Sequence, residues 1–257
     1  MTISKKVVVI GAGAAGLMAG ATAALYGASV TIIEKNKRVG RKIMITGKGR
    51  CNLANNCDVQ TFINNVPVNG RFLYSAINAF TPEDTIEFFE SKGLKTKTER
   101  GNRVFPASDK SVDVVDTMHD YAVESGCKIV CDTANALILE DGAVIGVKCE
   151  ENTYYADSVI ICCGGKSYPL TGSTGDGYTL AKQAGHTIVP LKPSLVPFTS
   201  GDKQCKDMQG LALKNVALRI VDKNSKKTVY SDFGEMLFTH FGMSGPMILS
   251  ASSHIRD

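Results

Sequence analysis

The chain has 257 residues, 44% of them apolar, which is material for one large α/β domain and part of another. Its formal charge of +4 is small, and the basic residues are scattered apart from one early loop, so no nucleic-acid partner is expected. The apolar run over residues 1–10 is too short for a secretory or spanning segment; no membrane association and a cytoplasmic location are expected.

Residues 6–10 form a β-branched run that passes directly into Gly11-Ala12-Gly13-Ala14-Ala15-Gly16 and an Ala- and Leu-rich helix to Tyr26, closed by Gly27. A second apolar run over 29–33 ends at Glu34 and completes a parallel β-turn-α-β unit. Gly11 permits the tight turn off the strand, Gly13 lets a pyrophosphate approach the backbone, and Gly16 lets the helix pack closely. The helix amides and dipole then face the phosphates. Glu34 can accept hydrogen bonds from ribose hydroxyls, and a carboxylate there disfavours the 2′-phosphate of NADP. The expectation is a Rossmann-type dinucleotide site.

Residues 35–50 read as a Gly- and Lys/Arg-rich loop whose cations Arg41, Lys42, Lys48 and Arg50 would wrap a second part of the cofactor. Thr81 and Pro82 open a helix to about Lys92, and Ser108 caps another to Ser125, with Gly126 behind it. Residues 128–131 then add a strand to the main sheet. Segments 134–140, 143–150 and 153–156 read as a meander, since Asp141-Gly142 is a hairpin signal, and 158–163 returns as a buried strand into Gly164-Gly165. The turn-rich stretch 172–177 leads into a helix that Gly185 ends, and a domain boundary is placed near Pro190. Beyond it, 216–221 and 228–230 alternate as antiparallel strands. The eight cysteines lack C-x2-C spacing and read as reduced thiols, vicinal Cys162-Cys163 as packing; no metal is expected.

These motifs, with Gly40-Arg41-Lys42, Thr46-Gly47-Lys48-Gly49-Arg50-Cys51-Asn52, Arg103-Val104-Phe105-Pro106, Lys166-Ser167-Tyr168-Pro169, Leu237-Phe238-Thr239-His240 and Ser244-Gly245-Pro246, resemble one bacterial family. It is the NAD(P)/FAD-dependent oxidoreductase family that includes aminoacetone oxidases and bile-acid enone reductases. The resemblance covers nearly the whole chain. It implies an α/β fold: a Rossmann-like FAD-binding domain of glutathione-reductase type with a β-meander over residues 1–190, and over 191–257 the start of an incomplete, mainly-β inserted domain that covers the flavin. FAD is the implied cofactor, NAD(P)H the electron donor and a small molecule the substrate. By the same resemblance Gly11, Gly13, Ala14, Ala15, Gly16, Glu34 and Lys35 serve the ADP half, and Arg41, Lys42, Gly47, Lys48 and Asn52 the ribityl-flavin side. Val130 offers its backbone to adenine, and Gly164 and Gly165 pass the cofactor. Family members run well past this length, so a C-terminally incomplete chain is expected, with full flavin binding and turnover requiring the remainder.

The function expected is flavin-dependent oxidoreduction, a hydride passing between flavin and a nicotinamide or small organic substrate. No acid or base stands out; His240 and Tyr168 are candidates by segment alone, and a structural role suits His240 better. Two alternatives stay open. A pyridine-nucleotide disulfide reductase would use Cys51 and Cys57, but five residues separate them where such enzymes have four, and no second Gly-rich fingerprint follows. A non-catalytic or RNA-related FAD-binding protein is weakened, in its RNA form, by the lack of a basic face.

Overall fold

In the computed structural model, which describes residues 4–255, β1 (Lys6–Ile10) runs through a tight turn into α1 (Ala14–Leu25). β2 (Ser29–Glu34) returns parallel to β1, with Lys6 opposite Ser29 and Ile10 opposite Ile33. The short helix α2 (Arg41–Ile45) and a 3-10 turn (Thr46–Gly49) follow, then β3 (Ala54–Asn55) and the helices α3 (Val59–Asn64), α4 (Tyr74–Ala79) and α5 (Pro82–Ser91). The hairpin β4 (Thr96–Glu99) and β5 (Arg103–Pro106) joins β3 in a small antiparallel sheet. After α6 (Ser111–Glu124) come β6 (Lys128–Cys131), the meander β7 (Ala134–Glu140), β8 (Ala143–Cys149) and β9 (Thr153–Tyr155), then β10 (Ser158–Ile161) and α7 (Asp176–Gln183). The remaining elements are β11 (Phe198–Thr199), α8 (Lys203–Asp207), β12 (Ala212–Val221), β13 (Thr228–Thr239), β14 (Gly242–Ser244) and α9 (Pro246–Ser252). Two compact units result: the stretch up to Ile63 with Arg71–Ile188, and Asn64–Gly70 with the stretch from Val189 on.

The first unit is Rossmann-type, built on a parallel sheet of order β10-β1-β2-β6. Successive side chains of a strand point to opposite faces, and a parallel sheet buries both, so its strands read as continuous apolar runs. On one face Val9, Val30 and Ile32 pack with Leu17 and Ala21 of α1 and Val114, Val115 and Met118 of α6. On the other, Val8, Ile10 and Ile33 pack with Leu137, Val147 and Cys149 of the meander and Leu180 of α7. The β7–β8 connection is the turn expected at Asp141-Gly142, where both residues take positive φ (49° and 77°), a pairing that suits the twist of a two-residue hairpin. In the second unit, β11-β14-β13-β12 form an antiparallel sheet, and Met247 and Ile248 of α9 pack on Met236.

Two local expectations are corrected. The stretch 35–50 is not all loop, since α2 and the 3-10 turn lie within it. Ser108 does not cap α6: the cap position is Lys110, with no side-chain bond, and the Ser108 hydroxyl donates to Asp113 instead. At α5 the expected cap holds, as Thr81 and Asp84 exchange hydrogen bonds in a capping box behind Pro82. Among the described residues no helix is long and apolar enough to cross a membrane.

Candidate functional site

A cleft of about 1020 Å3 opens in the first unit at the carboxyl ends of β1, β2 and β10, where an open α/β sheet places its ligand crevice. The turn after β1 forms its floor. Gly11 has φ +102°, and a Cβ there would lie 2.6 Å from the carbonyl oxygen of Cys162; a Cβ on Gly16 would lie 1.7 Å from that of Gly11. Both positions therefore require glycine, the first for conformation and close approach, the second to seat α1 against the turn. At Gly13 the space is open, with nothing within 4 Å of a built Cβ. No acidic side chain occupies the first turn of α1, and its leading amides lack intrahelical acceptors. That end of the helix, the positive end of its dipole, faces the cleft.

Glu34, at the end of β2, is 9% exposed. Its Oε2 accepts from the Ala12 amide (2.8 Å), while Oε1 accepts from the amide of Asn36 (2.9 Å) and its side-chain nitrogen (2.6 Å). A carboxylate has about four lone-pair sites, so one on Oε2 is left for a ligand hydroxyl. Lys35 ion-pairs with Asp176 at 2.6 Å and donates to Thr174 at 2.8 Å, tying the end of β2 to the start of α7. Burial works to raise the Asp176 carboxyl; hydrogen bonds from Lys35 and Thr174 outweigh it and hold the group below its ordinary range. Arg41 donates to Asn36 (2.6 Å) and Lys42 to Ser167 (3.0 Å), so both cations are held at the cleft wall.

Of the sequence-predicted residues, Gly11, Gly13, Ala14 and Ala15, then Glu34, Lys35, Arg41 and Lys42, and finally Asn52 and Gly164 line the cleft. Gly16 lies beneath the turn. Gly47 and Lys48 sit in the 3-10 turn outside the lining, with Gly47 set against the Asn52 backbone, and Gly165 lies behind Gly164 near the Tyr178 hydroxyl. Val130 faces Ile33 across the β2–β6 pairing and is not part of the lining. Arg50, grouped with the cofactor-wrapping cations, turns elsewhere: it pairs with Glu99 (2.8 Å) and Asp109 (3.2 Å) and lies 4.1 Å from the centre of the Phe105 ring.

Sequence reading missed Asp132, Thr133 and Ala134, which follow β6 into the cleft wall. Asp132 is 5% exposed and accepts from the amides of Thr133, Glu151 and Asn152 and from the Asn152 side chain, which pins the β6–β7 turn to the β8–β9 turn. It also missed Ser173 and Asp176. The available signal was position: both groups sit at carboxyl ends of main-sheet strands or at the helix start beside them. Cys162 and Cys163 line the cleft as well; burial, with Asp176 nearby, pushes the Cys163 thiol up to about 11.

A 3-dehydro-bile acid delta(4,6)-reductase of Clostridium scindens is 31% identical over 250 residues, covering 96% of this chain and 59% of that protein. A ribosomal RNA dihydrouridine synthase of Escherichia coli is 30% identical over 248 residues, covering 96% and 60%. The chain thus spans about three fifths of the length of these curated relatives. Among solved structures, a 3-ketosteroid-delta4-(5alpha)-dehydrogenase from Rhodococcus jostii RHA1 superposes with a TM-score of 0.49 at 15% identity, over 65% of this chain and 47% of that one. The model of the HI0933-like protein Rossmann domain matches residues 5–251, and the chain belongs to that family.

Proposed function

We propose that this chain is the FAD-binding part of a flavin-dependent oxidoreductase, with residues 1–190 as the cofactor domain. The observation that carries it is the turn Gly11–Gly16: two glycines are fixed by close backbone contacts, while Gly13 between them faces open space at an uncapped helix start. The residues present fit the group on two further counts. Glu34 keeps one acceptor site for a ribose hydroxyl after anchoring Ala12 and Asn36, and Asp132 bonds the Thr133 amide in the cleft wall, which Ala134 also lines and which we assign to the adenine. Bound FAD supplies hydride exchange with a nicotinamide or an organic substrate. The chain's own contribution is to bind and orient: α1 amides at the phosphates, Glu34 and Lys35 at the ADP half, Arg41, Lys42 and Asn52 along the far half, and Gly164 at the closing wall.

The two relatives' names both describe saturation of a ring carbon–carbon double bond, in a steroid and in a uridine. We carry over that reaction class, with a reduced nicotinamide as electron donor and a small cyclic enone as substrate, acting in the cytoplasm. An RNA substrate is the second reading, favoured by the relatedness to the dihydrouridine synthase. The thiols do not favour a disulfide reductase, since burial raises both Cys51 and Cys57 above their ordinary range.

The test is anaerobic and uses a chain of the relatives' full length, for which turnover is expected: the FAD-loaded protein is bleached with NADH or NADPH, then offered a cyclic enone, a uridine-containing ribosomal RNA, or a dithiol-derived disulfide. Recovery of flavin absorbance with one saturated product per flavin, using the enone, is the expected result. Recovery with RNA alone would establish the second reading, and recovery with the disulfide alone would overturn both.

A further inference from the structure

Beside the cofactor cleft, and sharing Arg41 and Thr171 with it, the first unit carries a second recess of about 610 Å3. One wall is Arg38 with the helix α2, the other the turn Tyr168–Thr171. Tyr168 holds φ +52°, a left-handed conformation that is an outlier for a bulky residue and persists only where its surroundings fix it. They do so from both sides. The amide and hydroxyl of Thr171 donate to the Tyr168 carbonyl at 2.9 and 2.7 Å, and Lys42 donates to the neighbouring Ser167. The outcome is that Tyr168, Leu170 and Ile45 are 67%, 88% and 45% exposed around one concavity, a grouping of large apolar side chains that a soluble surface otherwise avoids.

Two guanidiniums complete the lining, and no carboxylate is part of it. Arg41 uses one nitrogen on Asn36, while Arg38 has no hydrogen bond or ion pair among the described residues. Each offers five donors in a planar fork suited to a carboxylate. An apolar recess with two cations at its edge is the complement of an amphipathic anion.

We propose that this recess is a substrate subsite for a small organic anion: its apolar body rests on Met44, Ile45, Tyr168 and Leu170, and its carboxylate is held by Arg38 and Arg41. The inference deepens the flavin-oxidoreductase reading and rests on it, because the shared Arg41 and Thr171 would seat such a molecule against the cofactor cleft. The electron donor is the poorer match, since the sugars and diphosphate of a nicotinamide dinucleotide leave the apolar walls without a partner.

The test uses methyl-labelled methionine, the Met44 signal being assigned with Met44→Leu. Flavin content is recorded first, and the titration is run whatever it is. Naphthalene-2-carboxylate and the uncharged naphthalene-2-methanol are titrated into wild type and Arg38→Gln. The expected result is a saturable Met44 shift with the carboxylate, about tenfold weaker affinity in Arg38→Gln, and no change for the alcohol. Equal affinity for the two ligands in wild type, no Met44 shift, or no effect of Arg38→Gln would overturn the subsite. Displacement of the carboxylate by NADH at the same signal would overturn its assignment to substrate. Failure of the protein to take up FAD tells against the flavin reading alone.

Discussion

The backbone amide of Ala12 donates to Glu34 Oε2 at 2.8 Å, so the glycine turn and the carboxylate at the end of β2, 22 residues apart, are one hydrogen-bonded unit. Glu34→Ala therefore strips buried or half-buried donors as well as a ribose acceptor. Leaving such donors unpaired costs about 1–3 kcal/mol, and the lost ligand contact should weaken FAD binding roughly ten- to a hundred-fold. A denaturation midpoint and a FAD titration on the same variant separate the two effects. Reduced stability with unchanged affinity would mean that Glu34 only holds the turn.

Gly13 and Gly16 should respond in opposite ways to the same methyl group. At Gly16 it meets the Gly11 carbonyl at 1.7 Å, so Gly16→Ala should fail to fold or lose the β1–α1 packing. At Gly13 it meets nothing in the protein and costs at most about 1 kcal/mol as a helix-cap change. Gly13→Ala should keep its melting temperature within a few degrees yet bind FAD at least about tenfold more weakly, the methyl standing where a pyrophosphate approaches. Circular dichroism with flavin fluorescence quenching reads both, and a Gly13→Ala protein with full affinity would remove the phosphate from this turn.

Lys35 and Asp176 give a pH dependence of defined sign. The folded Asp176 carboxyl lies below its ordinary value, so its contribution is present above the unfolded carboxylate range and is lost as pH falls through the folded value. The stability difference between wild type and Asp176→Asn should be constant from pH 7 to about 5 and shrink below about pH 4. Its size will be modest, because the Asp176 side chain is 41% exposed. A difference that grows on acidification would contradict the ion pair.

Thiol reactivity should follow burial. Cys163 and Cys149 are both pushed up to about 11, mainly by burial, and Cys131 is exposed. Iodoacetamide at pH 8 should modify Cys131 first and leave Cys149 and Cys163 intact, as peptide mass mapping would reveal. Rapid alkylation of Cys163 would contradict the raised thiol at the cleft wall.

The β1–α1–β2 unit was legible because each part leaves a local trace: two runs of apolar residues, three glycines at fixed spacing and an acid at a strand end. The meander was legible for the same reason through Asp141-Gly142. What escaped depends on contacts distant in sequence. Helix α2 is five residues long, too short to form by propensity; it is held by Ile43 in the core beside Val115 and by the Ser111 hydroxyl on the Met44 carbonyl. Arg50 looked like a cofactor cation because Glu99 and Asp109 lie 49 and 59 residues away. Asp132 carries no local signature, since its four donors come from its neighbour and from the β8–β9 turn.

The central claim, that the cleft on β1, β2 and β10 is a site for an adenine dinucleotide, is tested most directly by competition at equilibrium. Fluorescence of FAD is titrated with the protein, and ADP and FMN are then added in turn. We predict one saturable site per chain, displacement of FAD by ADP, which carries the phosphates and ribose that we assign to Gly13, α1 and Glu34, and no displacement by FMN at the same concentration. Displacement by FMN with none by ADP, or no saturable binding of FAD at all, would contradict the account.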